Sequence, residues 1–224
     1  GTAEFGQTLT ATSSTNSDGA KSYQWYYANA KDATSGTNIE GANSNTYVIG
    51  SGLAGRYIGC KVTIAQGTDH NAHSGATATT QSAVGKVAAT NSVAITGTVT
   101  YGQTLTATIT TNSDGAKTYQ WWTATGANGA GKANINGATG STYTIGSGLA
   151  GKYIGVTASV AEGTNWSAAT AANTQTSTTV ARANTNNTVS ISGTVSYGST
   201  LTANVTAASN GTKSYQWWTA TGAN

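Results

Sequence analysis

The sequence predicts an all-β protein made of β-sandwich units in tandem, and two observations support this. The stretches Gly6–Thr12 and Gly102–Thr108 both read Gly-Gln-Thr-Leu-Thr-Ala-Thr, and Gly198–Asn204 is a slightly altered third copy. The copies start 96 residues apart, since 102 minus 6 and 198 minus 102 are both 96. Short alternating stretches also follow one another with turn signals at intervals of about 8 to 12 residues, and none has a helical apolar period. A fixed spacing of this kind indicates one structural unit used repeatedly.

The repeat divides the 224 residues into three predicted domains. Residues 1–89 form a first unit that lacks its opening strand, and residues 90–185 form a complete second unit. Residues 186–224 correspond to the N-terminal part of a third. A unit of about 100 residues is the usual size of a small β-sandwich.

The elements are clearest in the second unit. Val93 and Ile95 predict an opening strand that is kinked at Gly97. The stretch Leu105–Ile109 alternates apolar residues with threonines, which predicts a half-buried strand. A turn follows at Asn112–Gly115, where Asx side chains can bond nearby backbone and glycine accepts a positive φ.

The next strand carries the aromatic residues. Tyr119 and Trp121 share one face, and Trp122 points to the other. A glycine-rich hairpin is predicted at Gly126–Gly131. The remaining strands are predicted at Tyr143–Ile145, Ile154–Val160 and Thr176–Ala183. The inward positions suffice for one modest core, in which each large side chain contributes about 1.5–3 kcal/mol before chain entropy is subtracted. The predicted core residues include Tyr119, Trp121, Tyr143, Leu149 and Ile154.

Composition points to a secreted or cell-surface protein. Only 8% of the residues are charged, and threonine, alanine, glycine, serine and asparagine dominate. The net charge of +3 comes with no basic cluster, so no nucleic-acid partner is expected. No apolar run approaches the roughly 18 residues of a transmembrane helix. The single cysteine, Cys60, has Val156 at the corresponding place and is interpreted as a small buried apolar residue.

Several short motifs carry a resemblance to a known family. They are Tyr101–Thr106, Tyr119-Gln120-Trp121, Ile135-x-Gly137-Ala138, Tyr143-x-Ile145 and Ala150-Gly151-x-Tyr153-Ile154. Together they resemble the immunoglobulin-like repeats found in tandem in bacterial surface and secreted proteins. The resemblance implies tandem immunoglobulin-like β-sandwich domains in which Trp25, Trp121 and Trp217 fill the centre between two sheets.

The chain departs from antibody domains on the penultimate strand. Tyr57-Ile58-Gly59 places glycine where such domains have cysteine, so no inter-sheet disulfide is expected. Tyr57 also lies on the opposite parity to the apolar residues of its strand, which argues against an antibody-type tyrosine corner.

One cluster has residue types that bind metals. Asp69-His70-x-x-His73 makes His70 and His73 candidate metal ligands. The corresponding residues of the second unit are Asn165, Trp166 and Ala169, so the repeat does not preserve the cluster. We therefore interpret the two histidines as exposed polar residues, and expect neither a metal nor a cofactor.

The aromatic residue after each core tryptophan is a second candidate. Tyr26, Trp122 and Trp218 face away from the core, where they could stack on a sugar ring or anchor a neighbouring chain. The alternative, which we favour, is that each packs under the adjoining hairpin. If they do bind, a protein neighbour is expected over a sugar, because only one aromatic residue per unit is clearly placed on that face.

No catalytic set of residues emerges, and seven acidic residues in 224 leave little for acid–base chemistry, so an enzyme is not expected. The junctions Ala88–Ser92 and Asn184–Thr188 are short and lack a Gly/Ser linker, which predicts stacked domains. We expect a structural or adhesive extracellular repeat protein, forming a stalk or a head-to-tail filament with other copies of itself, with strand complementation as one route. The alternative is a carbohydrate- or receptor-binding accessory module of a secreted enzyme, adhesin or phage tail, with surface glycans as partners.

Overall fold

The computed structural model describes residues 1–222 and shows an all-β protein. These residues form seventeen strands and one short 3₁₀ helix, Ala127–Gly129. Within that range no helix has the length and apolar character needed to span a bilayer. Below, residues 1–89, 90–185 and 186–222 are called the first, second and third segments. The third predicted domain also included residues 223 and 224, which lie outside the described residues.

The first segment contains two sheets. Its strands are β1 (Thr8–Thr10), β2 (Lys21–Ala28), β3 (Thr37–Asn38), β4 (Thr46–Val48), β5 (Tyr57–Ile64), β6 (His73–Thr79) and β7 (Val87–Ala88). The larger sheet has the order β3-β2-β5-β6, and β1 pairs with β4 in the smaller one. In the larger sheet Trp25 of β2 lies opposite Cys60 of β5.

The second segment also contains two main sheets. Its strands are β8 (Ser92–Thr96), β9 (Thr104–Thr110), β10 (Lys117–Ala124), β11 (Ala133–Asn134), β12 (Thr142–Thr144), β13 (Tyr153–Val160), β14 (Trp166–Ser167) and β15 (Ala169–Gln175). One sheet has the order β12-β9-β8 and the other β11-β10-β13-β15. The register of β10 and β13 places Trp121 opposite Val156, which corresponds to the pairing of Trp25 with Cys60.

A tryptophan occupies the centre of each of these two cores. Trp121 is completely buried, and its Nε1 donates a hydrogen bond to the carbonyl oxygen of Gly140 at 2.8 Å. Its ring centroid lies 5.6 Å from that of Tyr143. Trp25 is also buried and donates in the same way to the carbonyl oxygen of Ser44. Each indole is thus held by packing on its faces and by one polar contact at its edge.

The other predicted core residues of the second segment surround this tryptophan. Ile154 is fully buried, and Tyr119, Tyr143 and Leu149 are partly buried and pack against the core. The alternation predicted for β9 is also present, because Leu105, Ala107 and Ile109 are buried while the threonines between them are exposed. Cys60 is a buried free thiol.

The prediction of the last strand was wrong. The strand that pairs with β13 is β15, Ala169–Gln175, whereas Thr176–Ala183 forms only an isolated bridge between Thr100 and Ala181. The sequence of β15 contains only small and polar side chains, so it has no apolar alternation that would predict a strand. Backbone pairing with β13 determines this strand, and apolar burial contributes little to it.

The third segment does not enclose its tryptophan. It forms one hairpin of β16 (Asn187–Ser192) and β17 (Thr202–Ala207). Trp217 is 48% exposed, so the prediction that it fills a core is wrong. The physical reason is that, among residues 1–222, Trp217 lies outside any strand and no strand corresponding to β13 lies across from it. Val189 and Ile191 of the hairpin are exposed as well.

Candidate functional site

A set of hydrogen bonds outside the cores joins the first and second segments. Asn165, in the loop before β14, is only 3% exposed. Its Oδ1 accepts a hydrogen bond from the backbone nitrogen of Gly52 at 2.9 Å, and its Nδ2 donates to Oγ of Ser51 at 2.7 Å. Both ends of the amide are therefore satisfied by the neighbouring segment, which is what burial of an amide requires.

A lysine of the first segment contacts the same loop. Nζ of Lys86 donates to the carbonyl oxygen of Gly163 at 2.7 Å and forms an ion pair with Glu162. The backbone nitrogen of Val87 donates to the carbonyl oxygen of Asn165 at 2.9 Å, and β7 and β14 pair in parallel. The loop is thus attached through main-chain and side-chain contacts together.

Two aromatic rings complete the contact. The rings of Phe5 and Trp166 lie 5.3 Å apart between centroids with an interplanar angle of 68°. This edge-to-face geometry is a favourable arrangement for aromatic pairs. We call the set Phe5, Ser51, Gly52, Lys86, Glu162, Asn165 and Trp166 the junction.

The junction loop is held in shape by an aspartate from the turn before β10. The backbone nitrogen of Thr164 donates to Oδ1 of Asp114 at 2.9 Å, and its Oγ1 donates to Oδ2 at 2.6 Å. These hydrogen bonds, the side-chain one first, lower the pKa of Asp114 below its usual value. Asp18 and Thr68 form the same clamp in the first segment, and the pKa of Asp18 is lowered for the same reason.

The corresponding loop of the first segment has no such neighbour among residues 1–222. Its tip carries Asp69 and His70, which are both exposed. His73 is exposed at the start of β6 and accepts a hydrogen bond from the backbone nitrogen of Gly75. Among residues 1–222 no group of three or more metal-binding side chains is present. His70 and His73 therefore gain no third ligand in the part of the chain that is described.

The structure places Tyr26 and Trp122 beneath hairpins, as in the alternative that we favoured. They are 2% and 3% exposed. The hydroxyl of Tyr26 donates to the carbonyl oxygen of Ala33 at 2.7 Å, inside the hairpin between β2 and β3. Nζ of Lys132 lies 4.6 Å from the centroid of the Trp122 ring. Neither ring offers the open face that stacking on a sugar requires.

These rings explain the glycines that lie across from them in β5 and β13. A Cβ built on Gly155 would overlap the ring of Trp122, and one built on Gly59 would overlap the ring of Tyr26. The outer aromatic residue and the glycine across from it are therefore a matched pair, Trp122 with Gly155 and Tyr26 with Gly59.

A cavity of about 520 Å³ lies beside Trp122. Its lining includes Asn128, Lys132, Asn173 and Gln175. The Nε1 of Trp122 is buried without a hydrogen-bond partner. The cavity thus combines an apolar ring with several donors and acceptors, and the first segment has glycine and threonine in place of Lys132 and Asn173.

Trp218, the third candidate of this series, is 74% exposed and lies outside any strand of the third segment. The ligand or interface role of all three aromatic residues stays a prediction. The sequence does not predict the junction residues, because the loop around Asn165 has no apolar alternation that would indicate a contact. The available signal was a tryptophan, Trp166, in a loop that was otherwise polar.

No protein-family model matches the chain, and a comparison with curated protein sequences gave no match.

Proposed function

We propose that the chain is a structural or adhesive protein of the cell surface or extracellular space, built of immunoglobulin-like domains that are joined end to end into a stalk or filament. The observation that carries the proposal is the junction, in which a buried asparagine and a lysine fasten the second segment to the first. A flexible pair of binding modules has no need of such a contact, whereas a load-bearing or spacing element does.

The strand order supports the immunoglobulin-like assignment. A three-stranded sheet with β9 in its centre faces a four-stranded sheet in which the tryptophan strand β10 pairs with β13. Immunoglobulin-like sandwiches place a buried tryptophan on the corresponding strand, and it packs between the sheets. The first segment has the same four-stranded order in β3-β2-β5-β6.

The short connection supports a stiff arrangement. Only residues 89–91 separate β7 from β8, and they contain neither glycine nor serine. Side chains tie this connection down, since Nδ2 of Asn91 donates to the carbonyl oxygens of Ala158 and Thr170. A linker of this kind restricts swing between neighbouring domains.

The third segment offers a route to assembly with other copies. Val189, Ile191 and Trp217 are exposed large apolar side chains. Strands from another copy of the chain would cover them, as in other cases of strand addition. Such complementation would extend the array in one direction.

The distance between the first two segments tests the stalk. Asn43 and Thr139 are exposed and occupy corresponding turns, so Asn43→Cys and Thr139→Cys in a Cys60→Val background provide two sites for spin labels. A narrow distance distribution is expected from double electron–electron resonance. Lys86→Ala combined with Asn165→Ala should broaden it, whereas Lys31→Ala, at an exposed hairpin position, should not.

A broad distribution in the wild-type background would contradict the stalk. Compact monodisperse monomers, without fibres in electron micrographs, would contradict the filament while leaving the fold intact.

Carbohydrate binding is the second candidate function, and the cavity beside Trp122 is the observation that favours it. Its polar lining, which includes Lys132, Asn173 and Gln175, could serve the hydroxyl groups of a sugar. A glycan array tests this directly. Binding that is lost in Asn173→Ala and retained in the Thr77→Ala control, at the corresponding place in the first segment, would support it, and no binding to any glycan would reject it.

A further inference from the structure

We propose that Asn136 is a site of spontaneous deamidation, in which its side-chain amide is replaced by a carboxylate through a cyclic imide formed with the backbone nitrogen of Gly137. Three Asn-Gly pairs occur in the chain, at Asn128, Asn136 and Asn210. Glycine has no Cβ to obstruct the approach of its nitrogen to the side chain before it. The three pairs differ in whether that nitrogen is engaged in a hydrogen bond.

Two of the three glycine nitrogens are held by hydrogen bonds. That of Gly129 donates to Oε1 of Gln175 at 2.8 Å, and that of Gly211 donates to Oγ of Ser209 at 3.1 Å. The nitrogen has to give up its hydrogen to form the imide, so a nitrogen that is engaged as a donor reacts more slowly. Asn128 and Asn210 are therefore protected.

The nitrogen of Gly137 has no such partner in the described part of the chain. It lies in a β-turn, in which the nitrogen of Ala138 donates to the carbonyl oxygen of Ile135 at 3.2 Å. Gly137 has a φ of +73°, as the third residue of a type II turn requires. Its own nitrogen donates to no acceptor within residues 1–222, and both Asn136 and Gly137 are exposed. The turn thus presents the side-chain amide and the attacking nitrogen together to water.

The reaction needs only the chain and water. The nitrogen of Gly137 attacks Cγ of Asn136, and the side-chain amide leaves as ammonia, taking the hydrogen of the attacking nitrogen. The product is a five-membered imide. Water then opens the imide at one of its two carbonyl carbons. Opening at Cγ gives aspartate on an ordinary backbone, whereas opening at the main-chain carbonyl gives isoaspartate, in which the backbone runs through the side chain. Either product adds a negative charge to the second segment.

The affected turn holds the strand that carries the central tryptophan. The nitrogen of Trp121 donates to the carbonyl oxygen of Ala138, and its carbonyl oxygen accepts from the nitrogen of Ile135, each at 2.9 Å. Nε2 of Gln120 donates to the carbonyl oxygen of Ile135, also at 2.9 Å. Isoaspartate lengthens the backbone between these contacts by one carbon atom. The modification therefore weakens the attachment of the turn to the strand.

The first segment has the same turn without the reactive pair. The nitrogen of Ala42 donates to the carbonyl oxygen of Ile39 at 3.2 Å, and Gly41 has a φ of +72°. Glu40 takes the place of the asparagine, and it has no amide to lose. Its longer side chain would also form a larger ring. Asn136→Glu is therefore a variant that the turn accommodates and that cannot deamidate there.

Peptide mapping of the whole 224-residue protein during incubation at neutral pH tests the proposal. Trypsin cleaves after Lys132, so Asn128 and Asn136 lie on separate peptides. Mass spectrometry of each peptide records the gain of about 1 Da that deamidation causes. Asn136 should react about fivefold faster than Asn128 or more, the factor that corresponds to the roughly 1 kcal/mol of one hydrogen bond. In urea the two rates should become similar, because the hydrogen bond of Gly129 is lost.

Gln175→Ala tests the protection directly. It removes the acceptor of the Gly129 nitrogen, so deamidation of Asn128 should increase by about fivefold while that of Asn136 stays unchanged. Thr170→Ala, at an exposed position of the same strand, is the matched control and should leave both rates unchanged. Equal rates at the two asparagines in the folded wild type would overturn the proposal. An Asn136 that stays intact while the sample in urea reacts would overturn it as well.

The urea midpoint after incubation tests the effect on the turn. Incubated wild type should unfold at a lower urea concentration than fresh protein, whereas Asn136→Glu should keep its midpoint. Fresh Asn136→Asp carries the new charge on an ordinary backbone and should unfold like fresh wild type. A loss confined to the incubated wild type would identify the lengthened backbone as its cause. An unchanged midpoint in wild type that has been converted at Asn136 would overturn the effect on the turn.

Discussion

The loops that follow β5 and β13 have one backbone and two different tips. In each, an aspartate 50 residues earlier holds a threonine, through Asp18 and Thr68 or Asp114 and Thr164. The tip of the second loop is buried against the first segment through Asn165, while the tip of the first loop, with Asp69, is exposed.

This difference separates two kinds of requirement on the sequence. The clamp and the strands around it depend only on the segment itself, so the same residue types recur 96 positions apart. The tip depends on what it touches, so it changes when its neighbour changes. Variation at a loop tip therefore carries information about contacts. Substitutions in the clamp and the strands should have the same effect in both segments, whereas substitutions at the tips should not.

The largest effect is expected for the shared core. Trp121→Ala should lower the free energy of unfolding of the second segment by about 3–5 kcal/mol, because it leaves a large cavity and an unpaired carbonyl of Gly140. Trp25→Ala should do the same to the first segment. Chemical denaturation followed by circular dichroism measures both, and a large inequality between the two would contradict a common frame.

The second largest loss of stability is expected where an outer aromatic ring packs on a glycine. Gly155→Ala should cost about 1–3 kcal/mol, because the added methyl group overlaps the Trp122 ring and forces it to move. Gly59→Ala should have a similar cost through Tyr26. Gly146→Ala is the control, since its Cβ would meet only the Tyr143 hydroxyl at 3.9 Å. Urea midpoints provide the comparison, and a neutral Gly155→Ala would mean that the ring is not held against the sheet.

Substitution should cost more stability at the tip of the second loop than at the tip of the first, because only the second tip is buried against another segment. Asn165→Ala removes the partner of Gly52 and Ser51 and should cost about 1 kcal/mol, which is toward the lower end for an unpaired group because water can reach the opened junction. Asp69→Ala removes an exposed side chain and should stay within about 0.5 kcal/mol in the isolated chain. Differential scanning calorimetry at low protein concentration measures both. Equal costs would contradict the assignment of one docked and one free loop.

The smallest effect concerns pH. Hydrogen bonds from Thr164 lower the pKa of Asp114 in the folded state, so the carboxylate contributes stability above its unfolded pKa of about 3.9. This contribution is lost as the pH falls through the lowered folded value. Thr164→Val should therefore reduce the difference between urea midpoints at pH 6 and pH 3. Thr108→Val, on the exposed face of β9, should leave that difference unchanged. If Thr164→Val also leaves it unchanged, the proposed role of the clamp is contradicted.

Alternation and turn chemistry were enough to predict the strands in which buried apolar residues alternate with exposed polar ones. The all-β class, the inward residues of β9 and the inward face of Trp121 follow from such patterns, whereas the central place of Trp25 was implied by the resemblance to immunoglobulin-like repeats. The last strand could not be predicted in this way, because β15 has only small and polar side chains and is specified by backbone pairing with β13 alone.

Contacts between segments were also beyond the reach of these patterns. The junction unites Phe5, Ser51 and Lys86 with a loop more than 70 residues further along, and no local period records that proximity. Trp217 shows the converse limit. Its local sequence matches that of Trp121, but burial of an indole needs strands that lie outside its own stretch of chain.

The receiving side of the junction contributes two main-chain nitrogens, those of Gly52 and Val87, beside the side chains of Ser51 and Lys86. Amides are present whatever the side chain, so the hydrogen bonds of these two nitrogens persist as long as the backbone keeps its shape. This part of the attachment therefore places its demand on the conformation of the turn at Gly52, whose φ is +80°, and leaves the choice of side chain to the other contacts.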